Sequence, residues 1–484
     1  MKQSQLFELI NTLNSQEKEQ ILAFARQDSL PGRKMKMYIE PLLKLCLSHP
    51  WQEHAKELTR SEAYKTVFPG QNFVEGKLEK VMVEAQKVIR DYLLTQHYFR
   101  EKNQFYQDFD FAEIVRLRGL DSRYKQYLSK LKKSHEASQI EDAYYFHKKY
   151  LLEYAIHNQE SLYNQAKGDL NIPSTVDALE LHYQLNKLAL LNVYLLQQKV
   201  ANISVSETMM ERLYEPNVHY RYFLLSPSLK INYTIFQLLK KESPEKEDVQ
   251  SLFDLLLEHE NKLDISTLNG FYTYLRNICI LIIFRDPERI DINNILFELY
   301  KDNLSRGILH YEGKLHPSRY LSISECAVAT GNLDWAIEFV EQHKHEIIGD
   351  NETQDVYRLN LAYLLFSKGK YEECLDHLPE TSPFVDHLLT GKRLELKALY
   401  ELQSDLLPYK TDAFKMFLSR TSQKLLPDSR RKKNLDFLNM LNQISASIPG
   451  DQKRAARLIA RIKEEKHAAE HHWLLKKAEQ LSTT

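Results

Sequence analysis

Two similar segments of the chain decide its fold: YLSISECAVATGNLDWAIEFV at residues 320–340 and LAYLLFSKGKYEECLDHL at residues 361–378. In each segment an apolar run with helical period leads to a glycine, Gly331 or Gly369, and a second amphipathic run begins directly after it. Apolar residues three and four positions apart form one face of a helix, and glycine commonly follows the end of a helix. The two segments therefore predict two helical hairpins.

Eight positions in these hairpins are expected to pack helix against helix. Two helices that cross at about 8–10 Å leave room only for small side chains at their closest contact. Small residues recur at equivalent places in both hairpins, next to larger apolar ones. The predicted repeat-packing residues are Ile323, Ser324, Gly331, Ala336, Leu361, Ala362, Gly369 and Cys374.

This pattern resembles the tetratricopeptide repeat. In that match Ile323 and Leu361 take the apolar position of the first helix, and Gly331 and Gly369 take the glycine between the helices. The glycines lie 369 − 331 = 38 positions apart, slightly more than the roughly 34 residues of a strict repeat. The resemblance implies a right-handed α-solenoid of tetratricopeptide-like hairpins, whose concave face binds a partner protein or peptide.

Composition supports an all-α protein of several parts. The chain has 484 residues, 43% of them hydrophobic, with only 13 glycines and 15 prolines. Few helix-breaking residues in so long a chain favour long helices joined by short turns. The formal net charge of −1 argues against a chain that binds nucleic acid or anionic membranes through its overall charge.

The cysteines indicate a reducing compartment. Four cysteines far apart in the chain form no CxxC pair, so neither a disulfide framework nor a zinc site is expected, and a cytoplasmic location is predicted. The longest strongly apolar run, residues 278–284, is shorter than the roughly 20 residues of a membrane span and predicts a buried core helix. The cysteines are Cys46, Cys279, Cys326 and Cys374.

We predict four domains along the chain. They are an N-terminal helical domain at 1–104, degenerate helical hairpins at 105–315, the tetratricopeptide-like repeats at 316–422 and C-terminal capping helices at 423–484. Two helix starts are predicted in the first domain. Ser15 is placed to cap a helix that has Glu17 in its first turn, and Thr59 with Glu62 forms a capping-box pattern.

The N-terminal region carries two further resemblances. Residues 34–100 resemble the three-helix core of a winged-helix domain, which implies an alternative function as a regulator that binds DNA through Lys77, Lys80, Lys87 and Arg90. The chain also resembles an uncharacterised family of all-helical proteins, mostly from Bacteroidota. The residues that carry this likeness are Thr59, Tyr64, Val67-Phe68-Pro69-Gly70, Phe73, Lys77-Leu78, Val81-Met82, Leu93 and the closing run His472-Trp473-Leu474-Leu475-Lys476-Lys477.

No motif for catalysis or cofactor binding is present in the sequence. Glycine-rich nucleotide loops, the GxSxG nucleophile pattern and the HExxH metal pattern are all absent. His467 and His471 lie one helical turn apart, but two histidines without a third ligand favour a solvated helix end over a metal site. We therefore expect a non-enzymatic scaffold without cofactor or metal, which binds a protein or peptide partner and no membrane. The sequence leaves the oligomeric state open.

Overall fold

The structure is a computed structural model of the full chain. It describes residues 4–26, 36–49, 58–138, 140–163, 168–201, 220–286, 289–348, 353–380, 382, 384–448, 450–465 and 468–483. These residues form 23 α-helices, two short 3-10 turns and no β-strand. The prediction of an all-α fold is confirmed for the described part of the chain. Two compact units are present, Met1–Glu136 and Ala137–Thr484.

The first unit is built around one long helix, α5. Helices α1 to α4 all pack against it or against each other, and its buried face includes Leu78, Val81 and Val88. The last two helices of the unit, α6 and α7, pack as a pair. The unit ends at Glu136, which places this pair with the N-terminal helices, whereas the sequence-based division was drawn after residue 104. The helices are α1 Gln5–Asn11, α2 Ser15–Arg26, α3 Lys36–Ser48, α4 Arg60–Val67, α5 Lys77–Tyr98, α6 Gln104–Leu117 and α7 Asp121–Glu136.

The two predicted helix caps have different outcomes. The Thr59–Glu62 capping box is confirmed: the Thr59 hydroxyl accepts from the Glu62 amide at 3.2 Å, and the Glu62 carboxylate accepts from the Thr59 amide at 2.9 Å. The prediction for Ser15 is wrong by one residue. The side chains of Asn14 and Glu17 each accept a hydrogen bond from the other residue's backbone amide, at 2.9 Å in both directions. Asn14, three residues before Glu17, is therefore the capping residue.

Removing the confirmed cap should weaken α4 locally. In Thr59→Ala the amide of Glu62 loses its side-chain acceptor, and such losses lower helix stability by about 1 kcal/mol. We expect faster hydrogen exchange for the amides of Arg60–Val67 in this variant. Thr66→Ala is the control, since the Thr66 hydroxyl donates to a carbonyl within the same helix. Equal exchange in both variants would contradict the capping role.

The second unit is a succession of helices that pack on their neighbours. From α10 to α23 each helix contacts the next, and α11, α15, α17 and α21 also contact the second helix after them. The helices are α8 Ala143–Tyr163, α9 Ile172–Ala201, α10 Tyr220–Leu225, α11 Pro227–Lys240, α12 Lys246–His259, α13 Ile265–Arg285, α14 Ile290–Ser305, α15 Pro317–Ala329, α16 Leu333–His343, α17 Thr353–Ser367, α18 Tyr371–His377, α19 Val385–Glu401, α20 Leu407–Arg420, α21 Asp428–Ser445, α22 Gln452–Glu464 and α23 His471–Thr483.

Helix α13 contains the apolar run that the sequence assigned to a buried core helix. At 21 residues it is long and apolar enough to cross a membrane by length and composition alone, and 44% of its most apolar window is buried inside the protein. Its inward face, with Tyr272, Leu275 and Ile278, is fully buried. The helix packs against α11, α12 and α14, as a core helix of a soluble protein does.

The two repeat hairpins are α15 with α16 and α17 with α18. Gly331 and Gly369 lie just after α15 and α17 with φ of 78° and 76°, a left-handed conformation that strongly favours glycine. The other predicted packing positions are buried, except Leu361, which is half buried because Leu359 and Leu364 fill the inward face of α17. Those fully buried are Ile323, Ser324, Ala336, Ala362 and Cys374.

Ser324 has a second role that its small size does not indicate. Its hydroxyl lies 2.5 Å from Asn360 Oδ1, and both residues are fully buried. The Asn360 amide donates in turn to the carbonyl of Val356 at 2.8 Å. A buried polar pair is favourable only when both partners are satisfied. The contact therefore holds the first helices of the two hairpins in one register.

Candidate functional site

Three charged side chains from distant parts of the second unit form what we name the inner ion cluster: Arg393, Lys397 and Glu470. Arg393 and Lys397 lie one turn apart on α19, and they donate to the two carboxylate oxygens of Glu470 at 2.9 Å and 2.6 Å. The side chains are only 17%, 8% and 22% exposed. Charges so far removed from water are stable only when paired. The cluster therefore fixes the turn before α23 against α19.

The backbone at Glu470 directs its carboxylate into the cluster. Glu470 has φ of 56°, a left-handed conformation that is unfavourable by about 1–2 kcal/mol for a residue with a side chain. Its carbonyl accepts the first hydrogen bond of α23, from Leu474, and the preceding amide of Ala469 donates to the carbonyl of Lys433 in α21. The turn is thus held from both sides, and the ion pairs offset its strain.

The guanidinium of Arg393 makes two further hydrogen bonds next to the cluster. Arg393 donates to Asn434 Oδ1 and to Thr390 Oγ1, each at 3.1 Å. Burial by itself would raise the pKa of Glu470, but the charges of Lys397 and Arg393 and their hydrogen bonds outweigh it and lower that pKa to about 2. Glu470 is therefore a permanent carboxylate at neutral pH.

A second carboxyl group, that of Glu325 in α15, interacts electrostatically with the inner ion cluster, and its pKa shifts in the opposite direction from that of Glu470. Burial and the negative charge of Glu470 raise its pKa to about 7, although Arg393 and Lys397 act in the other direction. The side chain is half buried. Because Glu470 already takes both cations, Glu325 has no cation of its own among the described ion pairs. It can hold or release a proton near neutral pH.

Helix α9 has an exposed apolar face, which we name the α9 surface: Val176, Leu179, Tyr183 and Leu190. These residues recur at helical spacing and are 49%, 45%, 51% and 73% exposed. The opposite face of α9 packs against α8 and α11. Isolated exposed apolar residues are ordinary, whereas several of them on one face of a helix are typical of a surface that binds another protein.

A pocket of about 440 Å³ lies between α9 and α13. Beneath its wall Thr273 Oγ1 accepts from the guanidinium of Arg276 at 2.8 Å. Arg276 is 4% exposed, its second terminal nitrogen donates to Asn303 Oδ1, and none of the described ion pairs includes it. Burial lowers its pKa to about 10. The pocket is mostly apolar, and this positive charge lies beneath Thr273 in its wall. Its lining is Val193, Leu196, Gln197, Ser266, Asn269, Gly270, Thr273 and Tyr274.

The four residues of the DNA-binding alternative lie along α5. Lys80, Lys87 and Arg90 are exposed, but Lys87 pairs with Glu84 and Arg90 with the adjacent Asp91. Lys77 lies over the ring of Phe68 at 4.4 Å. A groove of about 520 Å³ next to Lys87 and Arg90 is mostly apolar; it is lined by Leu9, Val83, Gln86, Lys87, Arg90, Leu93, Leu94, His97 and Arg100.

Sequence reasoning did not find the inner ion cluster. Glu470 is separated from Arg393 by 77 residues and from Lys397 by 73, and no local pattern links them. In the sequence Glu470 precedes His471, the second of the two histidines considered for a metal site. His467 lies outside the described residues, so that histidine pair has no structural description.

Comparison with known protein families, with curated proteins and with solved structures found no match to this chain.

Proposed function

We propose that this protein is a non-enzymatic helical-repeat scaffold that binds a partner protein or peptide on the concave face of a right-handed α-solenoid. The solenoid is supported by the packing of each helix on the next and, in α11, α15, α17 and α21, on the second one after it. Stacked hairpins with such contacts bury a continuous core and leave a long groove. The buried small residues Ala336, Ala362 and Cys374 support the tetratricopeptide-like character of the repeats.

The α9 surface is the observation that carries the proposal. It leads along α9 to Val193, which lines the pocket between α9 and α13, and α11 packs against both of these helices. We assign all three helices to the groove side of the solenoid. An amphipathic helix or extended segment would cover the apolar stripe. An acidic or carbonyl group of the same partner would enter the pocket, where the buried charge of Arg276 favours it.

Substitution on the α9 surface should abolish partner binding without unfolding the protein. Leu190→Asp places a charge at the most exposed leucine of the stripe, while Leu425→Asp changes a leucine of similar exposure, 61% against 73%, in a loop between α20 and α21. Each protein is used to capture partners from cells of its source, with crosslinking and mass spectrometry as the readout. We expect specific partners with the wild-type protein and Leu425→Asp, and their loss with Leu190→Asp.

Two results would count against this function. One is recovery of the same partners by Leu190→Asp at wild-type yield, and the other is the absence of any partner that crosslinks to α9. The melting temperatures of the three proteins serve as the folding control, since both substitutions are at exposed positions. We also propose a cytoplasmic location, which is supported by four buried cysteines, since buried thiols persist in a reducing compartment.

A further inference from the structure

Two histidines and a glutamate meet at the edge of the first repeat hairpin, outside the surfaces described above. His310 follows α14, His343 is the last residue of α16, and Glu346 lies three residues beyond it. His310 Nε2 is 3.0 Å and His343 Nδ1 is 2.6 Å from the same oxygen of Glu346, Oε2. The three potential ligand atoms all lie within 4.8 Å of one another.

The backbone holds these three side chains together. Residues 311–314 form a tight turn, in which Tyr311 and Lys314 exchange hydrogen bonds of 2.8 Å and 3.0 Å. The next residue, Leu315, forms a parallel bridge with Ile347, and its amide donates to the carbonyl of Glu346 at 2.6 Å. His310 is therefore fixed beside Glu346, although the two residues are 36 positions apart.

The carboxylate of Glu346 pairs with the two histidines. In the part of the chain that the structure describes, the ion pairs of Glu346 are with His310 and His343 and with no lysine or arginine. The side chains of His310 and His343 are 17% and 21% exposed. The ring of Phe339 lies 5.1 Å from that of His343 and limits its rotation. An ion could reach this site from solvent without opening the core.

We propose that His310, His343 and Glu346 bind a divalent transition-metal ion, with Zn²⁺ as the best fit. Two imidazole nitrogens and one carboxylate oxygen match the donor types that Zn²⁺ prefers, at distances of about 2.0–2.2 Å. Ligand atoms around a tetrahedral ion of that radius are roughly 3.3 Å apart. The observed contacts of 3.0 Å and 2.6 Å would lengthen on binding, and no two of the three atoms are more than 4.8 Å apart. Three protein ligands leave the fourth position to water.

Metal binding at this place would join the segment after α14 to the end of α16. Both are parts of one stacked array, and an ion held by both is a cross-link between successive helices. The metal would replace the two histidine–carboxylate hydrogen bonds. Binding should then raise the melting temperature of the second unit, because the ion binds the folded arrangement and the unfolded chain holds the three ligands apart.

The test uses the full chain freed of metal with a chelator and titrated with Zn²⁺ by calorimetry. Glu346→Gln and His310→Asn are the variants, and His345→Asn is the matched control, because His345 is exposed in the same loop and contributes only its backbone carbonyl to a contact with Lys314. We expect one strong site in the wild type and in the control. In both variants the affinity of that site should fall by about 100-fold or more. Loss of a residue that only hydrogen-bonds to a metal ligand already lowers affinity by about 10- to 100-fold, and here a ligand itself is lost.

Binding of Co²⁺ gives a second measurement, because isolated surface histidines do not produce the absorption of a four-coordinate ion. Visible absorption typical of a four-coordinate ion is expected with the wild type and His345→Asn, and its loss is expected with Glu346→Gln. The proposal would be overturned if the variants bound Zn²⁺ as strongly as the wild type. The binding would then be adventitious and would take place at other histidines. Melting curves of the metal-free proteins show whether each variant is folded. Two variants are used so that the test remains possible if one of them does not fold.

Discussion

Replacing Glu470 with Gln is expected to lower the free energy of unfolding of the second unit by about 3 kcal/mol. The substitution keeps the shape of the side chain but leaves Arg393 and Lys397 without their carboxylate while they are 17% and 8% exposed. Removal of one partner from a buried ion pair typically destabilises by about 3–5 kcal/mol, because the remaining charge is neither solvated nor paired. Partial exposure of Glu470 places the expected loss at the lower end of that range.

The pH dependence of this effect has a definite sign. The pKa of Glu470 falls from an ordinary value of 4.5 to about 2 in the folded protein. Its contribution to stability is therefore fully present above about pH 4.5 and is lost as the pH falls towards 2. Measured in a Glu325→Gln background, which removes the titration of Glu325, the stability lost on Glu470→Gln should be constant near neutrality and should shrink over that acidic interval.

Denaturant unfolding followed by tryptophan fluorescence measures this loss. Trp335 and Trp473, two of the three tryptophans of the chain, belong to the second unit, and Trp473 lies three residues after Glu470. The matched control is Glu373→Gln, which breaks an ion pair of similar length, 2.7 Å to Lys370, whose side chains are 51% and 54% exposed. Exposed pairs contribute little. Equal shifts in the two variants would show that the inner ion cluster is not buried as described.

Replacing Glu325 with Gln is expected to stabilise the second unit at pH 8. The folded protein raises the pKa of Glu325 from 4.5 to about 7, so the folded state retains a proton that the unfolded state has already released. Stability is thereby lost as the pH rises from about 4.5 to 7. At about 1.4 kcal/mol per pKa unit the loss above pH 7 is about 3–4 kcal/mol, and a neutral Gln removes it.

The measurement is the free energy of unfolding of wild type and Glu325→Gln at pH 4, 6 and 8. We expect similar stabilities at pH 4 and a growing advantage of the variant at higher pH. Glu338→Gln, at an exposed position of α16, should follow the wild type throughout. Parallel curves for wild type and Glu325→Gln would be incompatible with a raised pKa. In a Glu470→Gln background the advantage should be smaller, because the negative charge of Glu470 no longer raises the pKa of Glu325 while its burial still does.

Local patterns in the sequence predicted the features that depend on neighbours three or four residues away. The all-α fold and the cap at Thr59 are of this kind, because helical hydrogen bonds and capping boxes connect residues within one turn. The cap at Ser15 was misplaced since Asn14 is an equally good capping residue and lies at the correct spacing from Glu17. A one-residue shift of this sort is decided by the chain path and not by residue preference.

The sites described here depend on contacts that local patterns do not encode. Glu470 contacts Arg393 over 77 residues and His310 contacts Glu346 over 36. The sequence shows the charged residues and the histidines, but it does not show which of them become buried next to each other. That is decided by the stacking of α15, α17, α19 and the turn before α23.

The hairpins at residues 320–378 illustrate the same division. Their sequence by itself determined where the helices end and which small residues lie between them, because glycine and alanine act through local geometry and volume. Only the tertiary structure decided that Ser324 bonds to Asn360, that Glu325 keeps a proton near neutral pH and that His343 meets His310. Burial changes the energy of a charge or a hydrogen bond by several kcal/mol, and burial is a property of the assembled helices.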